Sequence, residues 1–299
     1  MRMIGSVSAP KPILVATDLT PASEPALGRA LAQARLTGAQ LLVVHVIPDV
    51  LRNHPLLPTP GGSEGVAASD LEKRVADLTT EQVRKVLQLS PDEFSVQIEM
   101  GDAEDEIVRA AEAHDASMIV VGAKPRKGME KYLGHVAERV VRYAKMPVLV
   151  ARPQVEGKNV LVATDFAEEA ARALEVGGRM AKNGYNVTLL HVVELPSVAL
   201  AAASGPLGGV WAPPSQEAIT QLANLGKSTL DGLVKEHGFK AGEQADGNAS
   251  EKILGRAEAL HSDLVILGSR GRTGLSRLLL GSVAESVIRH SHCSVLVMR

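Results

Sequence analysis

The chain of 299 residues is 45% hydrophobic but only 2% aromatic, and its formal net charge is −2. So balanced a charge gives no global field toward nucleic acid or a membrane surface, and so few rings leave no stacking platform for single strands. The single cysteine, Cys293, excludes an intramolecular disulfide and a thiolate metal cluster, and its apolar setting marks it as a buried thiol. No stretch approaches the roughly 18 uninterrupted apolar residues of a membrane span. The opening MRMIGSVSAP lacks a long apolar core. The expectation is a cytoplasmic protein with neither membrane nor nucleic acid as partner.

In chain order, the sequence predicts a strand at 13–17, a helix at 25–37, a strand at 41–47 and a Pro/Gly-rich loop at 55–65. A long helix follows at 68–89, with Leu71, Val75, Leu78, Val83, Val86 and Leu87 close to helical spacing. Then come a strand at 95–99, a helix at 103–114, a strand at 118–121, a helix at 136–144 and a strand at 148–151. From there the text repeats. ILVATDLT (13–20) returns as VLVATDFA (160–167), LLVVHVIP (41–48) as TLLHVVEL (188–195), SMIVVGAK (117–124) as DLVILGSR (263–270), and MPVLVAR (146–152) as CSVLVMR (293–299). The offset holds at 146 or 147, so whole domains are duplicated, with bounds of 1–152 and 153–299 meeting in the polar RPQVEGKN (152–159).

Strands that are apolar throughout and separated by helices specify a parallel sheet covered on both faces. The predicted fold class is α/β, as two tandem doubly wound, Rossmann-like domains of five strands each. Ligands of such sheets sit beyond the carboxyl ends of the strands, which gathers Asp18 or Asp165, the segments after His45 or His191, and a Gly-rich stretch into one crevice per domain.

In the second copy that stretch reads LGSRGRTGLSRLLLGSVAES (267–286). Gly268 and Gly271 are read as a turn of positive φ that permits close backbone approach. Ser282, with Glu285 three residues on, is read as a capping box opening the last helix. A helix start of this kind presents N–H groups and a positive dipole end to an anion, with Arg270 and Arg272 adding charge. Asp165, at a strand's carboxyl end, suits a base amino group or a ribose hydroxyl. Other nucleotide signatures are absent. GSRGRTG (268–274) is no dinucleotide fingerprint, and Gly226-Lys227-Ser228 imitates the end of a Walker loop within a helical pattern.

The spacing Gly268-x2-Gly271-x9-Gly281-Ser282, with ATD on the first strand and LHV on the second, resembles the ATP-binding class of the universal stress protein family over nearly the whole chain. The resemblance implies the adenine nucleotide alpha hydrolase-like fold. It also implies ATP, with or without Mg²⁺, held by Ala163, Thr164, Asp165, His191, Val192, Leu267, Gly268, Ser269, Arg270, Gly271, Arg272, Gly274, Gly281, Ser282, Val283 and Ala284. A stress-response role, pairing of the domains through their last strands and a homodimer are implied as well.

The first copy keeps Asp18, Val46 and Gly122, and with Gly128 and Gly134 these mark a degenerate site. Pro125 stands where the second copy has Gly271, the segment is one residue shorter before Gly134, and His135 replaces the serine. Proline removes a backbone donor, and Lys124, Arg126 and Lys127 keep only the charge. This half is expected to bind triphosphate poorly and to serve as a structural partner.

The remaining candidates have plainer readings. His45 and His191 are lone histidines on apolar strands, suited to packing or hydrogen bonding. GDAEDE (101–106) enriches a helix start with carboxylates. The loops 48–68 and 194–215, the latter carrying Trp211, differ most between the copies. No catalytic constellation emerges from spacing. The expected function is therefore a nucleotide-gated regulator or sensor, at most a weak hydrolase, with a slow ATPase or a nucleotide-independent scaffold as the alternatives.

Overall fold

The computed structural model describes residues 10–49, 68–123, 133–153, 157–194, 216–270 and 280–299. It divides into two units, Met1–Gln154 and Val155–Arg299.

In the first unit the strands are β1 (Ile13–Ala16), β2 (Leu41–Ile47), β3 (Phe94–Met100), β4 (Met118–Gly122) and β5 (Val148–Ala151). The helices are α1 (Glu24–Thr37), α2 (Ala68–Leu87), α3 (Ala103–Ala113) and α4 (His135–Tyr143), with a single 3₁₀ turn at Pro21–Ser23. All pairings are parallel, in the order β3-β2-β1-β4-β5. The second unit repeats this with β6 (Asn159–Thr164), β7 (Asn186–Val193), β8 (Ala241–Asp246), β9 (Leu264–Gly268) and β10 (Ser294–Met298), in the order β8-β7-β6-β9-β10. Its helices are α5 (Glu168–Lys182), α6 (Gln216–His237), α7 (Ala249–Ala259) and α8 (Ser282–His290).

Burial explains why these runs become strands. Ile13, Leu14 and Val15 of β1, Ile119 and Val120 of β4, and Val148 to Ala151 of β5 are each at most 1% exposed. Such strands can satisfy both faces only beneath helices. In the first unit α1 and α2 cover one face while α3 and α4 cover the other. Edge strands β3 and β8 alternate less cleanly and are mostly half-buried.

The predicted strand at 95–99 extends a residue further at each end, to Phe94–Met100, because Phe94 and Met100 still pair with Leu41 and Ile47. The predicted helix at 68–89 stops at Leu87, where Gln88 turns to φ 56°. Cys293 is fully buried, with its Sγ 3.3 Å from Ser291 Oγ. The Gly226-Lys227-Ser228 imitation lies inside α6, and the acidic run supplies Glu104, Asp105 and Glu106 to the first turn of α3. Among the described residues, no helix is long and apolar enough to cross a membrane.

Candidate functional site: the crevices beyond the strand ends

Each sheet reverses its winding beside its central strand. From β1 the chain moves to β2 on one side, and β4 takes the other side. The winding therefore switches between β1 and β4, the point at which such sheets open a crevice at the carboxyl ends of their strands. In the second unit β6 stands between β7 and β9 in the same way.

The turn after β6 is built by side chains. Phe166 N donates to Thr164 Oγ1 at 3.0 Å, and Ala167 N donates to Asp165 Oδ1 at 3.1 Å. This Asx arrangement holds the Asp165 carboxylate at the crevice. Between the two bonds Phe166 adopts φ 63°, a left-handed conformation rare for a bulky residue. The first unit matches it: Leu19 has φ 61°, Leu19 N donates to Thr17 Oγ1 at 3.1 Å, and Thr20 N donates to Asp18 Oδ1 at 3.0 Å. The sequence gives no sign of these two conformations, since neither Leu nor Phe advertises positive φ. Only the repeated T-D-x pattern marks the place.

The histidines behave as the hydrogen-bonding reading expects. His191 Nδ1 lies 2.9 Å from Thr164 O, and His45 Nδ1 lies 2.9 Å from Thr17 O. The ring of Phe166 packs on His191 with centroids 4.1 Å apart. Past the histidines, strand alternation does the positioning. Ile47 O and Val193 O accept from Gly101 N and Gly247 N on the outer side. The peptide groups of Val46 and Val192 therefore face the central strands, beyond the last paired residues Ala16 and Thr164.

The glycine segment is fixed at both of its ends. Ser269 N donates to Met298 O at 2.8 Å, and Gly281 N donates to Ser269 O at 2.8 Å. The two ends of the segment thus meet next to the start of α8. Gly268 is the last residue of β9, paired with Met298 and without positive φ, which corrects the expected turn conformation there. Its counterpart Gly122 shows what a glycine does at this point: a Cβ would lie 3.1 Å from Ala22 O.

The predicted capping box does not form. Gly281 is the N-cap, with φ −67° and ψ 149°, and no side chain caps the helix. Ser282 is the first helical residue, and the Glu285 carboxylate pairs with Arg289 at 2.8 Å instead of reaching back. The reason is local: the Gly281 N–H is taken by Ser269 O while its carbonyl accepts from Glu285 N, so the helix starts one residue early. In α4 Gly134 is likewise the N-cap without a side-chain cap, its carbonyl accepting from Glu138 N, and His135 is the first helical residue.

Of the expected second-unit residues, Ala163, Thr164, His191, Leu267, Ser269 and Ala284 form buried wall. Asp165, Val192, Gly268, Arg270 and Val283 are half-buried, and Ser282 is exposed. Gly271, Arg272 and Gly274 lie outside the described residues, as do Gly128 and Trp211. In the first unit Asp18, Gly122, Gly134 and Val46 all line a cavity of about 510 Å³, within the range of small-molecule sites. Sequence reasoning assigned that half a structural role and did not anticipate so large an opening.

The described residues show no cluster of three His, Cys, Asp or Glu side chains able to hold a metal. Arg299, beside Arg270, has its guanidinium pKa lowered by burial and by the charge of Arg270.

Comparison with known proteins agrees with this architecture. The family model described as the universal stress protein family matches residues 10–152 and again 157–299. A universal stress protein of Methanocaldococcus jannaschii is 34% identical over 149 residues, covering 48% of this chain and 82% of its own. Universal stress protein E of Salmonella typhi is 24% identical and covers 96% of this chain and 93% of its own. A crystal structure of a universal stress protein from Archaeoglobus fulgidus has a TM-score of 0.60 at 23% identity, covering 95% of this chain and 94% of its own. A universal stress protein in complex with cAMP is 22% identical with a TM-score of 0.33, covering 48% of this chain and 98% of its own. With the family model matched twice, along nearly all of its length, this chain belongs to the universal stress protein family and carries the domain in tandem.

Proposed function

We propose that the second unit binds ATP and that the protein acts as a nucleotide-gated regulator or sensor in a stress response. The observation that carries this reading is the meeting of three groups at one end of the β6–β9 sheet. They are the fixed carboxylate of Asp165, the Val192 peptide facing past the end of β6, and the N-terminus of α8 joined through Gly281 to Ser269. A base and ribose suit the first two, and phosphates suit a helix start beside Arg270. The duplicated family domain supports the same reading. Mg²⁺ would enter on the phosphates, since no metal-holding cluster occurs among the described residues. Glu285, engaged by Arg289, is no ready base for a hydrolytic water, so the output is a conformational or partner change and turnover is slow at most.

The test is direct. The purified protein is heat-denatured and the supernatant chromatographed, and ATP titration is followed by calorimetry. Retention or micromolar binding of about one ATP per chain supports the reading. Absence of both, or turnover well above the ~10⁻⁴–10⁻² s⁻¹ of intrinsic GTPases, overturns it.

A further inference from the structure

The geometry points to a further ligand site in the second unit, at the end of its sheet away from the crevice, that takes a small zwitterion of the α-amino-acid class. It shares no residue with the crevice and does not depend on how the crevice is read.

The site lies where two helices finish. α5 ends at Lys182 and leads into β7, and α6 ends at His237 and leads into β8. Both helix ends therefore stand at the amino ends of the strands, opposite Asp165. Between them is a cavity of about 240 Å³ lined by Glu175, Gly178, Arg179, Lys182, Glu236 and His237. That is below the roughly 300–1,000 Å³ of drug-sized sites and suits a smaller molecule. Packing sets its wall. A Cβ on Gly178 would lie 3.1 Å from His237 Nδ1, so a glycine in mid-helix, unfavourable in itself, makes room for the imidazole. The same ring stacks on buried Phe239 with centroids 5.4 Å apart.

The charges around this space are not spent on one another. Glu175, Arg179 and Lys182 follow at helical spacing along one face of α5, yet no ion pair among the described residues joins them to each other or to Glu236. Their arrangement selects a ligand by sign. A simple anion would meet Arg179 and Lys182, but also two carboxylates and the carbonyl ends of two helices. A simple cation would meet both basic groups, and the described residues gather no three His, Cys, Asp or Glu side chains for a metal. A zwitterion is opposed by neither sign: its carboxylate suits Arg179 and Lys182, and its ammonium suits Glu175 and Glu236. The first copy does not carry these groups. With Asp18 set against Asp165, it has Gly28, Leu31 and Ala32 where Glu175, Gly178 and Arg179 stand.

The experiment screens the common L-amino acids against the full-length protein by thermal shift. The tightest is then titrated by calorimetry beside its methyl ester, its N-acetyl derivative and inorganic phosphate. About one amino acid per chain is expected to bind, near millimolar, with the ester and the N-acetyl derivative each weaker by about threefold or more. Arg179→Gln should weaken the amino acid by about three- to tenfold and remove its advantage over the ester. Glu175→Gln should do the same against the N-acetyl derivative. Both side chains are exposed, so the variants keep the fold, and ATP affinity is unchanged in each. No amino acid bound, binding indifferent to Arg179 and Glu175, an ester bound as tightly as the acid, or phosphate bound in preference overturns the proposal. Absence of ATP binding, with a site dependent on Arg179 and Glu175 retained, overturns only the reading of the crevice.

Discussion

His191 donates its Nδ1 proton to the carbonyl oxygen of Thr164 at 2.9 Å, because a carbonyl can only accept. The bond ties β7 to the last residue of β6 and fixes the ring on which Phe166 packs. His191→Ala leaves that carbonyl without its partner in a buried site, at a cost of about 1–3 kcal/mol. His45→Ala breaks the same bond to Thr17 at a half-buried position and should cost less. Urea unfolding of the two variants checks the order, and equal costs would contradict it.

The left-handed residues after the crevice aspartates give a second test. Leu19 has φ 61°, a conformation Asn tolerates and β-branched residues resist. Leu19→Asn should cost less than about 0.5 kcal/mol despite the lost side chain, while Leu19→Val should cost about 1–3 kcal/mol. Thermal melts of both variants measure the difference.

Two helical glycines should respond in opposite directions. Gly177 in α5 packs where a Cβ would lie 2.7 Å from Val162 Cγ2 and 3.2 Å from the Phe239 ring, so Gly177→Ala should destabilise by about 1–3 kcal/mol. Gly28 in α1 is exposed and has nothing within 4 Å of the added carbon. Gly28→Ala should stabilise by about 0.5–1 kcal/mol through helix propensity alone.

At the nucleotide site, Asp165→Ala should weaken ATP by about ten- to a hundredfold, the range for losing hydrogen bonds to a charged group. Ser282→Ala should cost less, because its hydroxyl is not the helix cap. Calorimetry on both variants reads the split. A larger effect from Ser282 would restore the serine to the central role that its sequence position suggested.

Glu243 and Arg256 form a forked pair with both contacts at 2.5 Å on half-exposed side chains. The Glu243 hydrogen bond holds the Arg256 guanidinium pKa above its ordinary value. A raised basic group contributes its stability fully below the unfolded pKa, so the arginine adds no pH dependence near neutrality. Salt is the informative variable. Glu243→Gln should cost about 0.2–1 kcal/mol at low ionic strength, shrinking toward zero near 1 M salt.

Much of this protein was legible before any coordinates. The inner strands announce themselves because they are apolar on both faces, unlike the half-buried edge strands β3 and β8, and the repeat fixes which residues share a crevice. His45 and His191 were readable as hydrogen-bonding residues because an isolated imidazole on a buried strand must find a partner. Three features were not legible. Positive φ at Leu19 and Phe166 is imposed by threonine and aspartate side chains on either side, so the residues themselves carry no signature. The start of α8 depends on a bond between Gly281 and Ser269, twelve positions apart in sequence, which no local pattern encodes. The first-unit cavity depends on how α3 and α4 stand over β1, β2 and β4, a packing outcome rather than a motif.

The bond between Gly281 and Ser269 has a consequence for how such a domain can diverge. Its two ends are clasped at 2.8 Å before the intervening residues contribute anything. For a segment held this way, changing length costs little, since closure entropy grows only as about (3/2)RT ln n. The clasp joins the end of β9 to the start of α8 through backbone groups, which any side chain leaves in place. One copy of an ancestral domain could therefore trade its anion-binding text for another while its sheet stayed folded. The duplicated chain, with the first copy one residue shorter over the same stretch, has the form that freedom would leave behind.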